Sequence, residues 1–319
     1  MVKSKKPLQE KSKFQANIED WKLSFKKYKI LYLLLIPFIT WYILFQYKPM
    51  MGLIIAFQDY SVFKGIAGSE FVGFKNFIDF FGGDYFWRTF RNTLLIGIYG
   101  LIFAFPAPIL LALLLNEVKN KYFRSTVQTL TYLPYFVSTV VVVGIVINFL
   151  SPSTGVVNMF IEKLGFERIY FLTQPEYFRT IYILTMEIWK TIGYTAIVYI
   201  AAIAGVNPSL YEAATMDGAS RIKQMFHITI PSILPTIMIM LILNIGNILS
   251  VGYEAIILLY QPSTYETADV ISTYVYRAGL QNGQYDIATV ADLFNAVVGL
   301  ILVIGANKLS KKLTNNGLW

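Results

Sequence analysis

The chain has no cysteine, a single histidine and little charge, and each shortage removes a class of function. Without cysteine there is no disulfide, thiolate metal site or cysteine nucleophile. His227 on its own leaves no room for a histidine-rich metal cluster. Charged residues make up 14% of the 319 residues, against about 25% in ordinary soluble domains. No glycine-rich phosphate loop ending in Gly-Lys-Ser/Thr occurs, so this chain does not hydrolyse ATP alone. Asp59, Glu70, Asp79 and Asp84 lack metal-ligand spacing, which argues against a membrane-embedded glycan enzyme.

What the chain has is apolar surface, with 55% hydrophobic and 16% aromatic residues. A soluble fold would have to hide that surface in a core, whereas lipid solvates it directly. Tyr and Trp suit the membrane–water boundary. The net charge of +8 is concentrated at the start, where nine lysines precede residue 30. No aromatic-interleaved basic groove follows, so the lysines read as a retained cytoplasmic flank and not as a nucleic-acid arm. Residues 1–29 also make a poor secretory signal. The apolar run after them continues through Pro37 to Phe45 without a small-residue cleavage site.

A span needs about 20 mostly apolar residues. Six segments qualify: 30–47, 92–116, 125–150, 179–204, 232–260 and 287–308. The expectation is an all-α, polytopic bundle of six spans over 30–312. A basic tail at 1–29 and a short tail at 313–319 flank it. Pro106, Pro108 and Pro134 fall inside spans, where a bundle tolerates them. About seventeen Lys and Arg lie on the side of the N-terminus, against about nine on the other. That bias puts both termini in the cytoplasm of a multi-pass cell-membrane protein. Segments 48–91, 151–178 and 261–285 are then outside, with aromatic-rich amphipathic helices expected in the first.

The most informative stretch is the cytoplasmic loop 205–231. Leu210 to Met216 reads as a short helix, and Gly218 permits a sharp turn because it accepts positive φ. Arg221 to His227 reads as a second short helix carrying Met225 and Phe226, and Pro231 opens the next span. Helices that short are marginal alone and must dock on something. The run EAATMDGASRIKQMFHITIP resembles the EAA loop of ABC-importer permeases: Glu-Ala-Ala, three residues, Gly, nine residues, Ile-x-Leu-Pro. It departs only in Ile230. The runs FQYKPMMGLIIAFQDYSVFKGI, FVGFKNF and VGYEAIILLYQPSTYETADVISTYVYRAGL are similar to the carbohydrate branch, the LplB-type and maltose-type first permeases.

The resemblance implies a type I ABC-importer permease fold with a coupling helix seated in an ATPase cleft. Glu212, Ala213, Ala214, Asp217, Gly218, Ala219, Phe226 and Pro231 would form the coupling set, with Glu212 facing a basic residue of the ATPase. It further implies partners: a second permease in a heterodimer, a cytoplasmic ATPase dimer holding ATP and Mg, and an extracellular solute-binding (lipo)protein. No cofactor is expected on this chain, which is a transport subunit and not an enzyme. The implied cargo is an oligosaccharide or polysaccharide fragment.

Polar residues within spans are costly and mark function or structural pairing. Glu187 and Lys190 are three apart, which would let them share a helix face and pair. Asn244 and Asn247 are three apart, as are Asp292 and Asn295, and Glu254 lies near the outer end of the fifth span. At about 1.5 Å per residue, these groups fall in the middle to outer half of the bundle. With Trp189, Tyr194 and Tyr253 they suit sugar rings, because amides and carboxylates bind hydroxyls and aromatic faces cover C–H surface. They equally suit interhelical glue. His227 reads as a surface or packing residue. An importer for another small polar solute, such as an amino acid, and an ion-coupled secondary transporter stay open.

Overall fold

The computed structural model describes residues 27–314, 317 and 318. Most of the basic tail at 1–29 and part of the tail at 313–319 lie outside the described residues. The chain forms two units, 1–54 and 55–319. Helix α1 (Lys29–Phe57), most of which belongs to the first, runs past the expected end at 47. No residue of its Lys29–Tyr42 stretch is buried, as suits a helix solvated by lipid.

The second unit opens with a two-residue ladder, β1 (Gln58–Asp59) antiparallel to β2 (Glu70–Phe71). The Asn76 side chain of α2 (Lys75–Gly82) donates to the carbonyls of Ala56 and Gln58 at 3.1 and 2.8 Å, which satisfies backbone acceptors left over there. Helix α3 (Asp84–Glu117) is 34 residues long, about 51 Å at the standard rise. It begins two turns before the expected 92, and its ends define two opposite ends of the bundle. The third expected span is two helices, α4 (Lys121–Phe136) and α5 (Thr139–Leu150), bent by 104°. Pro134 sits in a 3₁₀ turn, Val137 is extended, and Ser138 caps the new helix by accepting from Val141 N–H. The valine run of α5 is helical despite its β-branching, because a span must satisfy its backbone internally.

The fourth span is α6 (Pro175–Tyr182), continued by a π-helical stretch Ile183–Trp189, and then α7 (Ile192–Ala204). After it come α8 (Pro208–Met216) and α9 (Arg221–Gly246). Two expectations are corrected here. Arg221–His227 is not a separate short helix but the first turns of α9. The fifth span ends at Gly246 and not near 260, because turns follow it before α10 (Tyr253–Leu259). A short α11 (Ile271–Val275) and the long α12 (Tyr285–Thr314) complete the unit. Among the described residues, four helices are long and apolar enough to cross a membrane, and up to six if each of two bent pairs counts as one.

Three apolar clusters hold the unit together. Ala112, Leu113, Ala196, Tyr199, Ile203 and Ile233 join α3, α7 and α9 toward the Glu117 end. Ile96, Val143, Tyr182, Met186, Ile256 and Leu259 join α3, α5, the fourth span and α10. Phe80, Phe86, Ile271 and Val290 join α2, α3, α11 and α12 near the Asp84 end.

Candidate functional site

The clusters leave a cavity of about 220 Å³ in the middle of the bundle. Glu187, Thr191 and Thr195 line it from the fourth span. Asn244, Asn247 and Ser250 line it from the end of α9 and the turns beyond. The opposing wall is α3, at Gly97, Gly100 and Ala104. Gly97 is required by close approach, since a Cβ there would lie 2.2 Å from the Ile248 carbonyl oxygen. The Asn244 and Asn247 amides each donate to their own helix, to Met240 O at 2.9 Å and Leu243 O at 3.0 Å. Their side-chain oxygens remain as acceptors. A carboxylate, three hydroxyls and two amides around one hollow suit a ligand rich in hydroxyl groups.

The structure thus brings together three of the ten residues expected around a ligand: Glu187, Asn244 and Asn247. Thr191, Thr195 and Ser250 were missed, because small hydroxyl residues in apolar runs carry no sequence signal of their own. The other seven lie elsewhere. Tyr194 stacks on Tyr135 with ring centroids 3.8 Å apart, beside the break between α4 and α5. Tyr253 stacks on Tyr276 at 5.8 Å. Trp189, Glu254 and Asp292 are exposed on this chain, and Asn295 is half-buried with its side-chain oxygen unpartnered.

The expected Glu187–Lys190 pair is not formed. Lys190 Nζ instead donates to Thr139 Oγ1 of α5 at 2.8 Å, while Glu187 faces the Tyr182 hydroxyl. The cause is the π-helical stretch Ile183–Trp189, closed by Lys190 N–H bonding Thr185 O five residues back. A wider turn rotates residues three apart off a common face. Of the four other π stretches among the described residues, Tyr276–Gln281 has no such neighbour, but Ile43–Tyr47, Gly100–Ala104 and Met225–Thr229 each end two residues before a proline, at Pro49, Pro106 and Pro231. There the widened turn makes room for a ring that would strike the carbonyl four residues back. No proline follows Ile183–Trp189 in this way, and that stretch carries Glu187 into the cavity.

At the Glu117 end stands the loop. Asn207 caps α8 by accepting from Ser209 N–H. The helix closes at Gly218 with φ of 75°, Ala219 N–H bonding Ala214 O at 2.9 Å and Gly218 N–H bonding Thr215 O at 3.1 Å. That Schellman closure is the turn for which glycine is preferred. Gln224 Nε2 ties back to Thr215 Oγ1 and Ala219 O at 3.1 and 3.0 Å, and Tyr211 and Thr229 hydroxyls meet at 3.0 Å. Glu212, Ala213, Asp217 and Gly218 are exposed, Ala214 and Ala219 half-buried. Met216 is 88% exposed, with Ile222 and Phe226 also open. Pro231 is the second residue after the π turn, inside the continuous α9.

The opposite end holds a knot that the sequence did not reveal. Asp269 is fully buried and accepts from Arg277 through both oxygens at 2.8 Å, from Arg88 at 2.8 Å and from Thr273 at 2.8 Å. Buried Asn92 accepts from Arg179 at 2.8 Å and donates to the carbonyls of Glu266 and Asp269 at 2.9 Å each. Burial alone would depress the Arg277 guanidinium, but the hydrogen bonds and charge of Asp269 hold it well above the ordinary arginine value.

Residues 104–314 match the family described as binding-protein-dependent transport system inner membrane component. The chain is 47% identical over 291 residues to the polygalacturonan/rhamnogalacturonan transport system permease protein YteP of Bacillus subtilis (strain 168), covering 91% of this chain and 90% of that protein. It is 45% identical over 300 residues to protein LplB of the same organism, covering 94% of each. Its fold matches a chain of a bacterial alginate ABC transporter crystallised with an alginate pentasaccharide-bound periplasmic protein. There the TM-score is 0.86 and the identity 52%, over 93% of this chain and 99% of that one. A helical fold with four to six candidate spans, a loop with Gly218 at its turn and these likenesses agree: the chain belongs to the binding-protein-dependent transport system inner membrane component family, as a permease subunit of an ABC transporter and not an enzyme.

Proposed function

We propose that the chain passes oligosaccharides or polysaccharide fragments inward across the cell membrane, driven by ATP hydrolysed on a separate subunit. Both termini face the cytoplasm, by the distribution of Lys and Arg. The loop 205–231 then meets the cytoplasmic ATPase dimer, which holds ATP and Mg. A second permease completes the pathway as a heterodimer. An extracellular solute-binding protein delivers the sugar at the Asp84 end. The names of the relatives support the carbohydrate cargo, since YteP is a polygalacturonan/rhamnogalacturonan permease and the solved transporter carries alginate.

The observation that carries the reading is the continuity of α9. One 26-residue helix begins at Arg221, beside the turn at Gly218, and its last residues bear Asn244 next to Asn247 at the cavity. It spans about 39 Å. A movement imposed on α8 by the ATPase is thereby delivered to two amides that bind hydroxyls, with Glu187 and the hydroxyls of Thr191 and Thr195 opposite.

The test is reconstitution of the whole importer in proteoliposomes with its binding protein. Wild type should show ATPase activity stimulated by loaded binding protein, and ATP-dependent uptake of an oligosaccharide. Asn247→Leu should assemble normally and lose most of the uptake. Uptake that persisted without the ATPase, or driven by an ion gradient, would refute the reading.

A further inference from the structure

Near the start of α3 lies a second hollow, of about 430 Å³, separate from the central cavity. It falls within the about 300–1,000 Å³ typical of small-ligand sites. Its walls are Arg88 and Arg277, with the rings of Tyr85, Tyr265 and Tyr274. The amides of Gln281, Asn282 and Gln284 complete it. Among the described residues, no carboxylate lines it. Asp269 lies beneath both arginines, fully buried, so one negative charge answers two positive ones. Arg277 commits both terminal nitrogens to Asp269. Arg88 commits one nitrogen, and its Nε is buried without a partner. Both side chains keep exposed surface, 32% and 21%. Each guanidinium also lies over a tyrosine ring of the same hollow, Arg88 over Tyr85 at 5.2 Å and Arg277 over Tyr265 at 5.5 Å.

We infer that this hollow is an entry subsite for a carboxylated sugar, a uronate unit of the transported chain. A guanidinium with free N–H groups takes a carboxylate in a two-point fork. Three tyrosine rings line the hollow and offer apolar surface to the sugar's C–H groups, and three amides offer partners to its hydroxyls. Arginines alone would serve any anion. The aromatic and amide lining is what selects a sugar ring. Tyr274 and Gln284 also border an adjoining hollow lined by Asp59, Asp79 and Asp286 with Lys75. That acidic neighbour repels a polyanion, so the bound chain is directed away from it. The inference rests on the importer reading and narrows its cargo to acidic saccharides.

The test uses the whole importer in nanodiscs without nucleotide, titrated calorimetrically with tri-galacturonate and with its methyl ester, which has the same rings but no charge. Tri-galacturonate should bind at least about tenfold more tightly than the ester, as charged hydrogen bonds demand. Gln281→Glu places a carboxylate at an exposed rim position without touching Asp269. It should weaken tri-galacturonate about tenfold more than it weakens the ester, because the ester shares the hydroxyls that the Gln281 amide meets but has no charge to repel. Arg88→Gln, which leaves Asp269 its two bonds from Arg277, should do the same. Equal binding of acid and ester, or acid binding unchanged in both variants, overturns the subsite. A loss confined to docking of sugar-free binding protein also overturns it, since the carboxylate would then be a protein side chain. ATP-driven uptake of a neutral oligosaccharide reports on the importer reading separately, and its persistence alongside a failed acid test would sink only the subsite.

Discussion

Residues 208–231, a short helix and a turn leading into α9, and residues 253–281, a run of short helices and turns, are stabilised in opposite ways. The second stretch closes on a buried carboxylate with two guanidiniums and a threonine, so its polar groups are satisfied within this chain. The first is held by one hydroxyl pair, one glutamine and an exposed ion pair between Arg221 and Glu117 at 3.3 Å. It leaves Met216, Ile222 and Phe226 open. An exposed surface ion pair contributes at most about 1 kcal/mol, whereas a buried, fully bonded carboxylate fixes one arrangement. One end of the bundle is closed by its own side chains, and the other leaves apolar side chains open.

The contrast is sharpest in the effect of single changes. Asp269→Asn removes the charge that two arginines surround, and should cost about 2–3 kcal/mol, below the full penalty for a buried pair because both guanidiniums keep exposed surface. A large fall in thermal stability in detergent, with reduced yield of folded chain, is the expected readout. Stability within 1 °C of wild type would erase the difference between the ends. Gly218→Val should cost less, about 1–2 kcal/mol, because only the positive φ is strained. Nothing lies within 4 Å of a Cβ built there. The variant should insert and assemble, yet its ATP hydrolysis should no longer drive uptake. Normal uptake would remove Gly218 from the coupling path.

Much of this was legible in the sequence. The all-α membrane class and the turn at Gly218 follow from apolar run length and from the one residue type that accepts positive φ. The break at Pro134 was not foreseen as a 104° bend, because the effect of a proline in a span depends on what the neighbouring helices supply. Glu187 and Lys190 failed to pair because the spacing argument assumes 3.6 residues per turn, and no proline announces the π stretch that breaks it. Asp269 sits in an ordinary polar segment, and its partners Arg88 and Arg277 are distant or on a different element. Pairings across 181 residues leave no local pattern.

The central claim is that the exposed face of 208–229 seats in an ATPase. The chain has no native cysteine, so Ala213→Cys supplies its sole thiol. In the assembled importer a short bifunctional reagent should join that thiol to the ATPase subunit, with the yield changing between nucleotide-free and ATP-bound states. A thiol that stays freely accessible to a water-soluble maleimide in the full complex, or that is labelled only from outside intact cells, would contradict the account.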